Sequence, residues 1–282
     1  MKKILNLIII VSILFVFTGC STNTENVEEK LDTTSKTTTT SSNATNSNSS
    51  TQKEKNNTSD ENNGKINYKE AAEKQMAMPE DGETIAIFKI KNFGEMKVKF
   101  FDDIAPKAVE NFVTHAKNGY YDGLTFHRVI NEFMIQGGDP EGTGLGGESI
   151  WGSGFGPELD YSLVPYRGSL CMAMSSLPNS IGSQFFITQA HYDEPTAQML
   201  LQYNYPEDLI EQYENYGGYL SLYLNYTVFG QVFEGLDVLD KIAAVKTETV
   251  EYELYGQMHS QDDKPVEDVI IETIEVMEYK GE

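Results

Sequence analysis

From Ser21 to about Tyr68 the chain is Ser, Thr, Asn, Lys and Glu with almost no large apolar residue. Such a stretch buries too little apolar surface to offset the entropy of ordering it, so it is expected to stay disordered. As a flexible coil of roughly 48 residues it would average about 35–40 Å end to end, which suits a tether. Folding is therefore left to the roughly two hundred residues from about Pro79 onward, enough for one domain.

Ahead of the tract come Lys2, Lys3 and an apolar run from Ile4 to Phe17, placed as a secretory signal and short for a bilayer span. The run ends in Phe17-Thr18-Gly19-Cys20, which resembles the lipobox of bacterial lipoproteins, with Phe17 where that family usually has Leu. The resemblance implies a signal peptide over 1–19 and a diacylated Cys20 as the new N-terminus. It implies an extracytoplasmic, lipid-anchored protein of a bacterial cell membrane, since two acyl chains anchor stably where one does not. Residues 20–78 are then the lipidated cysteine and tether, and 79–282 the folded domain. Of the two cysteines, Cys171 would stand alone in the processed chain, so no intramolecular disulfide is expected. Its apolar neighbours Leu170 and Met172 predict a buried packing residue. The formal net charge of −22, or −24 without Lys2 and Lys3, argues against nucleic acid and against electrostatic docking on anionic lipid.

Within the folded part, Thr84–Lys91 and Glu95–Phe101 alternate apolar and polar residues around Asn92-Phe93-Gly94, the pattern of a β-hairpin. Pro106 opens a helix with Val109, Phe112, Val113 and Ala116 on one face, closed by Gly119. Short strands are predicted at 125–130, 133–136, 168–174, 184–188 and 227–233. A second helix follows over 236–245, then a closing strand over 269–276. Many short strands with two helices predict a mainly β fold: a closed antiparallel barrel capped by two helices. Between about 191 and 225 lies an insertion. Its segment from Pro206 to Gly217, with Leu209, Tyr213 and Tyr216 on one side, predicts a short helical lid.

Two segments carry the chemistry. One is Phe126-His127-Arg128-Val129-Ile130, followed by Phe133-Met134-Ile135-Gln136-Gly137-Gly138-Asp139. The other is Met172-Ala173, Pro178-Asn179 and Gly182-Ser183-Gln184-Phe185-Phe186-Ile187. With Tyr226-Thr227-Val228-Phe229-Gly230 they resemble the cyclophilin family over nearly all of the chain from Thr84 to Tyr279. The resemblance implies a cyclophilin-like barrel and peptidyl-prolyl cis-trans isomerase activity on proline-containing polypeptides, with no cofactor and no metal. It implies that Arg128 and Gln136 are catalytic and that Phe133, Met134, Ala173, Met174, Gln184, Phe186, Leu222 and Tyr226 bind substrate. Two positions depart from the family. Tyr226 stands where a pocket His is usual, and Ser221 where many members have Trp or His before Leu222, which predicts a reshaped groove end.

The residue types suit the reaction. Rotation about an X–Pro bond faces about 18–20 kcal/mol because nitrogen lone-pair resonance holds the peptide planar. A catalyst must localise that lone pair and grip the proline ring; a cation such as Arg128 and an apolar pocket of Phe133, Met134 and Phe186 provide both. Strand alternation puts Phe185 in the core and Phe186 in the groove. Gly142–Gly147 formally matches G-x-G-x-x-G, but no strand-to-helix context follows, so a tight turn beside the groove is expected. His127 is read as structural, since four scattered His and no Cys/His cluster give no metal site. The expected protein is a monomeric foldase for exported chains. The alternative is a module that holds proline peptides in the same groove without turnover.

Overall fold

The computed structural model describes residues 66–254 and 257–281. Cys20, the lipobox and the tract from Ser21 to Lys65 lie outside them. No helix among the described residues is long and apolar enough to cross a membrane.

An eight-stranded antiparallel sheet holds the main core. Its strands are β1 (Thr84–Ile90), β2 (Gly94–Phe100), β3 (Arg128–Ile130), β4 (Met134–Gly137), β5 (Ser169–Met172), β6 (Phe185–Thr188), β7 (Val228–Glu234) and β10 (Ile271–Glu278), in the order β10-β1-β2-β7-β5-β6-β4-β3. The hairpin β1–β2 forms as the alternation predicts, with Asn92 and Gly94 at φ of 67° and 117° in its turn, where a left-handed backbone is needed. The sheet curls so that Thr125 pairs with Ile270 and the Phe126 amide donates to Val269 O at 3.0 Å. The edge strands β3 and β10 are not paired along their length, so a closed barrel is not what the ladder shows. The contact between the two ends of the sheet is made by the segment before β3, through the Thr125–Ile270 bridge and the Phe126 N–H on Val269 O.

Two helices pack on this sheet. Helix α2 (Pro106–Lys117) buries Val109, Phe112 and Ala116, and α5 (Leu236–Ala243) buries Val238, Leu239 and Ile242. Phe112 packs against Phe88, Tyr121, Phe185 and Phe229 with ring centroids 5.0–5.8 Å apart. Helix α2 has no side-chain cap of its own; its first amides, Lys107 N and Ala108 N, donate to the Glu158 carboxylate at 3.2 and 2.9 Å.

Three more helices build a second core. Helix α1 (Tyr68–Met76) lies inside the stretch assigned above to the tether, and folded structure therefore begins before Pro79. Asn67 caps it, and it buries Tyr68, Ala72 and Gln75. The insertion holds two helices rather than one, α3 (Glu194–Gln202) and α4 (Glu207–Tyr216). Their residues Ala197, Leu200, Leu209, Ile210 and Tyr213 join Tyr68, Ala72, Val164 and Tyr166 in one apolar cluster. The insertion is thus a wall of this second core, and the 3₁₀ turn Leu220–Leu222 leads from it back towards the sheet.

A last element has no counterpart in the sequence reading. Strands β8 (Thr247–Leu254) and β9 (Gln257–Pro265) form a separate antiparallel hairpin, and β9 packs beside β3.

Candidate active-site groove

The strand register sets the site. Arg128 on β3 pairs with Gln136 on β4, Gln136 with Phe186 on β6, Phe186 with Cys171 on β5, and Cys171 with Val228 on β7. Directly paired residues project to the same face, and residues two apart on a strand share that face, so Met134 joins the row. On the other face Ile135 and Phe185 enter the main core, while Met134, Cys171, Phe186 and Val228 form a separate apolar cluster. Leu222 and, at its edge, Phe133, Ala173 and Tyr226 belong to the same cluster.

Arg128, Phe133, Met134, Gln136, Ala173, Met174, Phe186, Leu222 and Tyr226 line one cavity of about 130 Å³. Every substrate-binding or catalytic residue singled out in the sequence is there except Gln184, which stands behind it. Gln136 Nε2 donates to Gln184 Oε1 at 2.9 Å, and Gln184 Nε2 donates to Gly144 O and Gly146 O at 3.1 and 2.8 Å. The Gly142–Gly147 segment is therefore a turn that braces the polar wall. It wraps the Asp139 carboxylate, which accepts backbone N–H groups of Glu141, Thr143, Gly144 and Gly146. Burial raises the Asp139 pKa, but the N–H donors from Glu141, Gly146 and Gly144 outweigh it and hold the carboxyl below its ordinary value.

The apolar wall is aromatic. The Phe133 and Tyr219 ring centroids lie 4.4 Å apart, and Phe186 meets Tyr226 edge-on with centroids 5.4 Å apart. Tyr226 thus occupies the groove wall, and exposed Ser221 is not among the cavity residues.

Arg128 has a partner that the sequence did not announce. Its Nε donates to Oδ2 of Asp263 on β9 at 2.6 Å, and Nη1 lies 3.5 Å from Gln136 Oε1. The Asp263 side chain is 9% exposed against 31% for Arg128, so the pair is largely withdrawn from solvent. A guanidinium carries five N–H donors, and those not engaged by Asp263 and Gln136 remain for a ligand in the cavity.

The other reactive groups nearby are quiet. Burial drives the Cys171 thiol well above its ordinary pKa, which removes it as a nucleophile. Burial likewise holds the His127 imidazole below its usual value, and neither ring nitrogen has a hydrogen-bond partner among the described residues. Among the described residues no group of three or more His, Cys, Asp or Glu could hold a metal ion.

A model of the family "Cyclophilin type peptidyl-prolyl cis-trans isomerase/CLD" matches residues 84–276. A Staphylococcus epidermidis protein with the name "Putative peptidyl-prolyl cis-trans isomerase" is 49% identical over 188 residues, covering 66% of this chain and 89% of the relative. A Staphylococcus aureus protein of the same name is 48% identical over 190 residues, covering 66% of this chain and 89% of that one. The crystal structure of a Cryptosporidium parvum cyclophilin type peptidyl-prolyl cis-trans isomerase superposes with TM-score 0.54 at 30% identity, over 70% of this chain and 99% of that chain. The same protein solved in the presence of the dipeptide Ala-Pro gives TM-score 0.53 at 31% identity, over 69% and 99%.

Proposed function

The chain belongs to the cyclophilin-type peptidyl-prolyl cis-trans isomerase family and is an isomerase, and we propose that it works as a monomeric foldase on X–Pro bonds of exported proteins, held at the outer face of a bacterial membrane by a lipid on Cys20. The observation that carries the catalytic part is the joint lining of one cavity by a cation, an amide and an aromatic ring of walls. The proline ring of a polypeptide sits among Phe133, Met134, Phe186, Leu222 and Tyr226. The Ala-Pro dipeptide used with the Cryptosporidium relative supports a proline-containing ligand.

In this reading Arg128 donates from a free Nη to the prolyl nitrogen as its lone pair leaves conjugation. Gln136 Nε2 is shared between Gln184 and the substrate carbonyl, which it orients. A charge-assisted hydrogen bond nets about 1.5–3 kcal/mol, or roughly 10- to 150-fold in rate. The remainder comes from binding the twisted peptide in a preorganised, partly dry groove. No covalent bond forms or breaks.

Export and anchoring rest on Lys2, Lys3, the apolar run and Gly19-Cys20. The test is fractionation of cells expressing wild type and Cys20→Ala, paired with refolding of an exported substrate limited by an X–Pro bond. Wild type is expected in the membrane fraction and Cys20→Ala as precursor or released protein, with refolding accelerated by either folded domain. Processed, membrane-bound Cys20→Ala protein would overturn the anchor.

A further inference from the structure

We propose that Asp263 is a positioning residue for the isomerase reaction: it fixes the guanidinium of Arg128 so that the free Nη donors face the bound prolyl peptide without reorganisation. The inference rests on the role given to Arg128 above and adds to it a residue from outside the two segments that carry the chemistry in the sequence.

The geometry points there from three sides. Asp263 is 6% exposed as a residue, and a carboxylate so placed needs a cationic or N–H partner. Its partner is Arg128 Nε at 2.6 Å, a short charge-assisted contact. Finally, the hairpin β8–β9, whose β9 lies beside β3, delivers this acid to the catalytic strand.

The guanidinium is planar, and its side chain has several rotatable bonds. Gln136 alone meets it at 3.5 Å, a weak hold. Asp263 grips Nε while Gln136 meets Nη1, so the guanidinium is held at two of its nitrogens. The remaining Nη donors are then set before substrate arrives, which is what preorganisation requires.

A neighbouring carboxylate also offsets part of the guanidinium charge, so two effects of opposite sign are present. Pairing leaves the guanidinium its other N–H donors. What pairing changes is where they point. Donation to a weakly accepting prolyl nitrogen depends on that direction, and orientation is inferred to win.

The two effects separate in variants. Asp263→Asn keeps an oxygen that accepts from Nε and removes the charge; Asp263→Ala removes both. The experiment measures isomerisation of a proline peptide by NMR exchange at several peptide concentrations, which gives the on-enzyme rate and the peptide Kd separately. It is run on wild type, Asp263→Asn, Asp263→Ala, Arg128→Ala and the double variant Arg128→Ala/Asp263→Ala, each checked by thermal melting. Asp263→Ala is expected to lower the on-enzyme rate about tenfold with Kd changed less than about threefold, and Asp263→Asn to restore it to within about threefold. In the Arg128→Ala background, Asp263→Ala is expected to cost nothing further. The Arg128 Nε–H signal is expected to exchange slowly in wild type and to be lost in Asp263→Ala.

A folded Asp263→Ala with the wild-type rate, or a faster one, overturns the proposal. So does an equal loss with and without Arg128, which would make the acid a structural residue. If Asp263→Ala fails to fold, Asp263→Asn and the Nε–H signal still decide: an Asn variant as impaired as Arg128→Ala would refute positioning. Arg128→Ala alone at the wild-type rate would instead sink the role of Arg128, leaving the Nε–H test of the pair intact.

Discussion

Gln75→Ala tests whether α1 belongs to the folded domain. Gln75 is 1% exposed, and its side chain reaches β5, β7 and the loop before β5. Its Nε2, with two N–H groups, lies 2.7 Å from Val164 O, 3.1 Å from Ser169 Oγ and 3.2 Å from Gln231 Oε1, while its Oε1 accepts from Val164 N at 3.0 Å. Not all of this is lost on truncation. Val164 O keeps the Tyr166 N–H at 2.7 Å, and Gln231 Oε1 keeps the Ser169 hydroxyl at 3.0 Å. Val164 N–H is left without a partner, at a cost of about 1–3 kcal/mol. The missing methylene and amide add about 1 kcal/mol of lost burial. The expected loss is about 2–4 kcal/mol, equivalent to a fall in Tm of roughly 5–15 °C for a domain of this size. Thermal melting gives the total, and amide hydrogen exchange at Val164 locates it. Groove residues are not touched, so the isomerisation rate per folded molecule should stay within about twofold of wild type. An unchanged Tm together with a protected Val164 amide would refute the reasoning.

Other outcomes follow from the same contacts. The folded-state pKa of Asp139 lies below its unfolded value, so the stability it contributes is complete above about pH 4 and is lost as pH falls through the folded value. Asp139→Ala should therefore lower stability by about 2–3 kcal/mol at neutral pH and flatten the acid limb of a pH–Tm profile; a parallel-shifted profile would count against the turn's dependence on the carboxylate. Phe186→Ala opens the wall that grips proline in every state, so peptide Kd and isomerisation rate should both worsen, by roughly tenfold each. A loss confined to the rate would remove Phe186 from recognition. A chain starting at Ile66 should melt at least about 5 °C above one starting at Pro79, because the longer one retains α1; equal melting would return the boundary to Pro79.

The groove was legible because its residues are few, unlike their surroundings and fixed by strand register. Arg128 and Gln136 are polar in otherwise apolar strands, and the pair Phe185/Phe186 alternates between faces as period two requires. The hairpin β1–β2 and helices α2 and α5 carried clean periodicity. Helix α1 did not: its inward positions are Tyr68, Ala72 and Gln75, spaced as a helix requires, but a buried glutamine is invisible to a hydrophobic pattern. In α3 the signal was present, with Asp193 capping Thr196 N and Pro195 in the first turn, but it was overshadowed by the stronger pattern from Pro206. Strand β8 alternates Val250, Tyr252 and Leu254 with Glu251 and Glu253, which the strand rule could have found. Its partner Gln257–Pro265 shows no alternation, so neither the hairpin nor the position of Asp263 could be read from it. The closed barrel was an inference from strand number, which does not say which strands pair; the two ends of the sheet meet at the single Thr125–Ile270 bridge.

The central claim is that Arg128 acts on the twisted state of the X–Pro bond in a groove that recognises proline. The most direct measurement is NMR exchange on a proline peptide with wild type and folded Arg128→Ala, separating the on-enzyme rate from peptide Kd. The account predicts a rate lowered by roughly 10- to 150-fold with a much smaller change in Kd. A folded Arg128→Ala protein that isomerises the peptide as fast as wild type would contradict it.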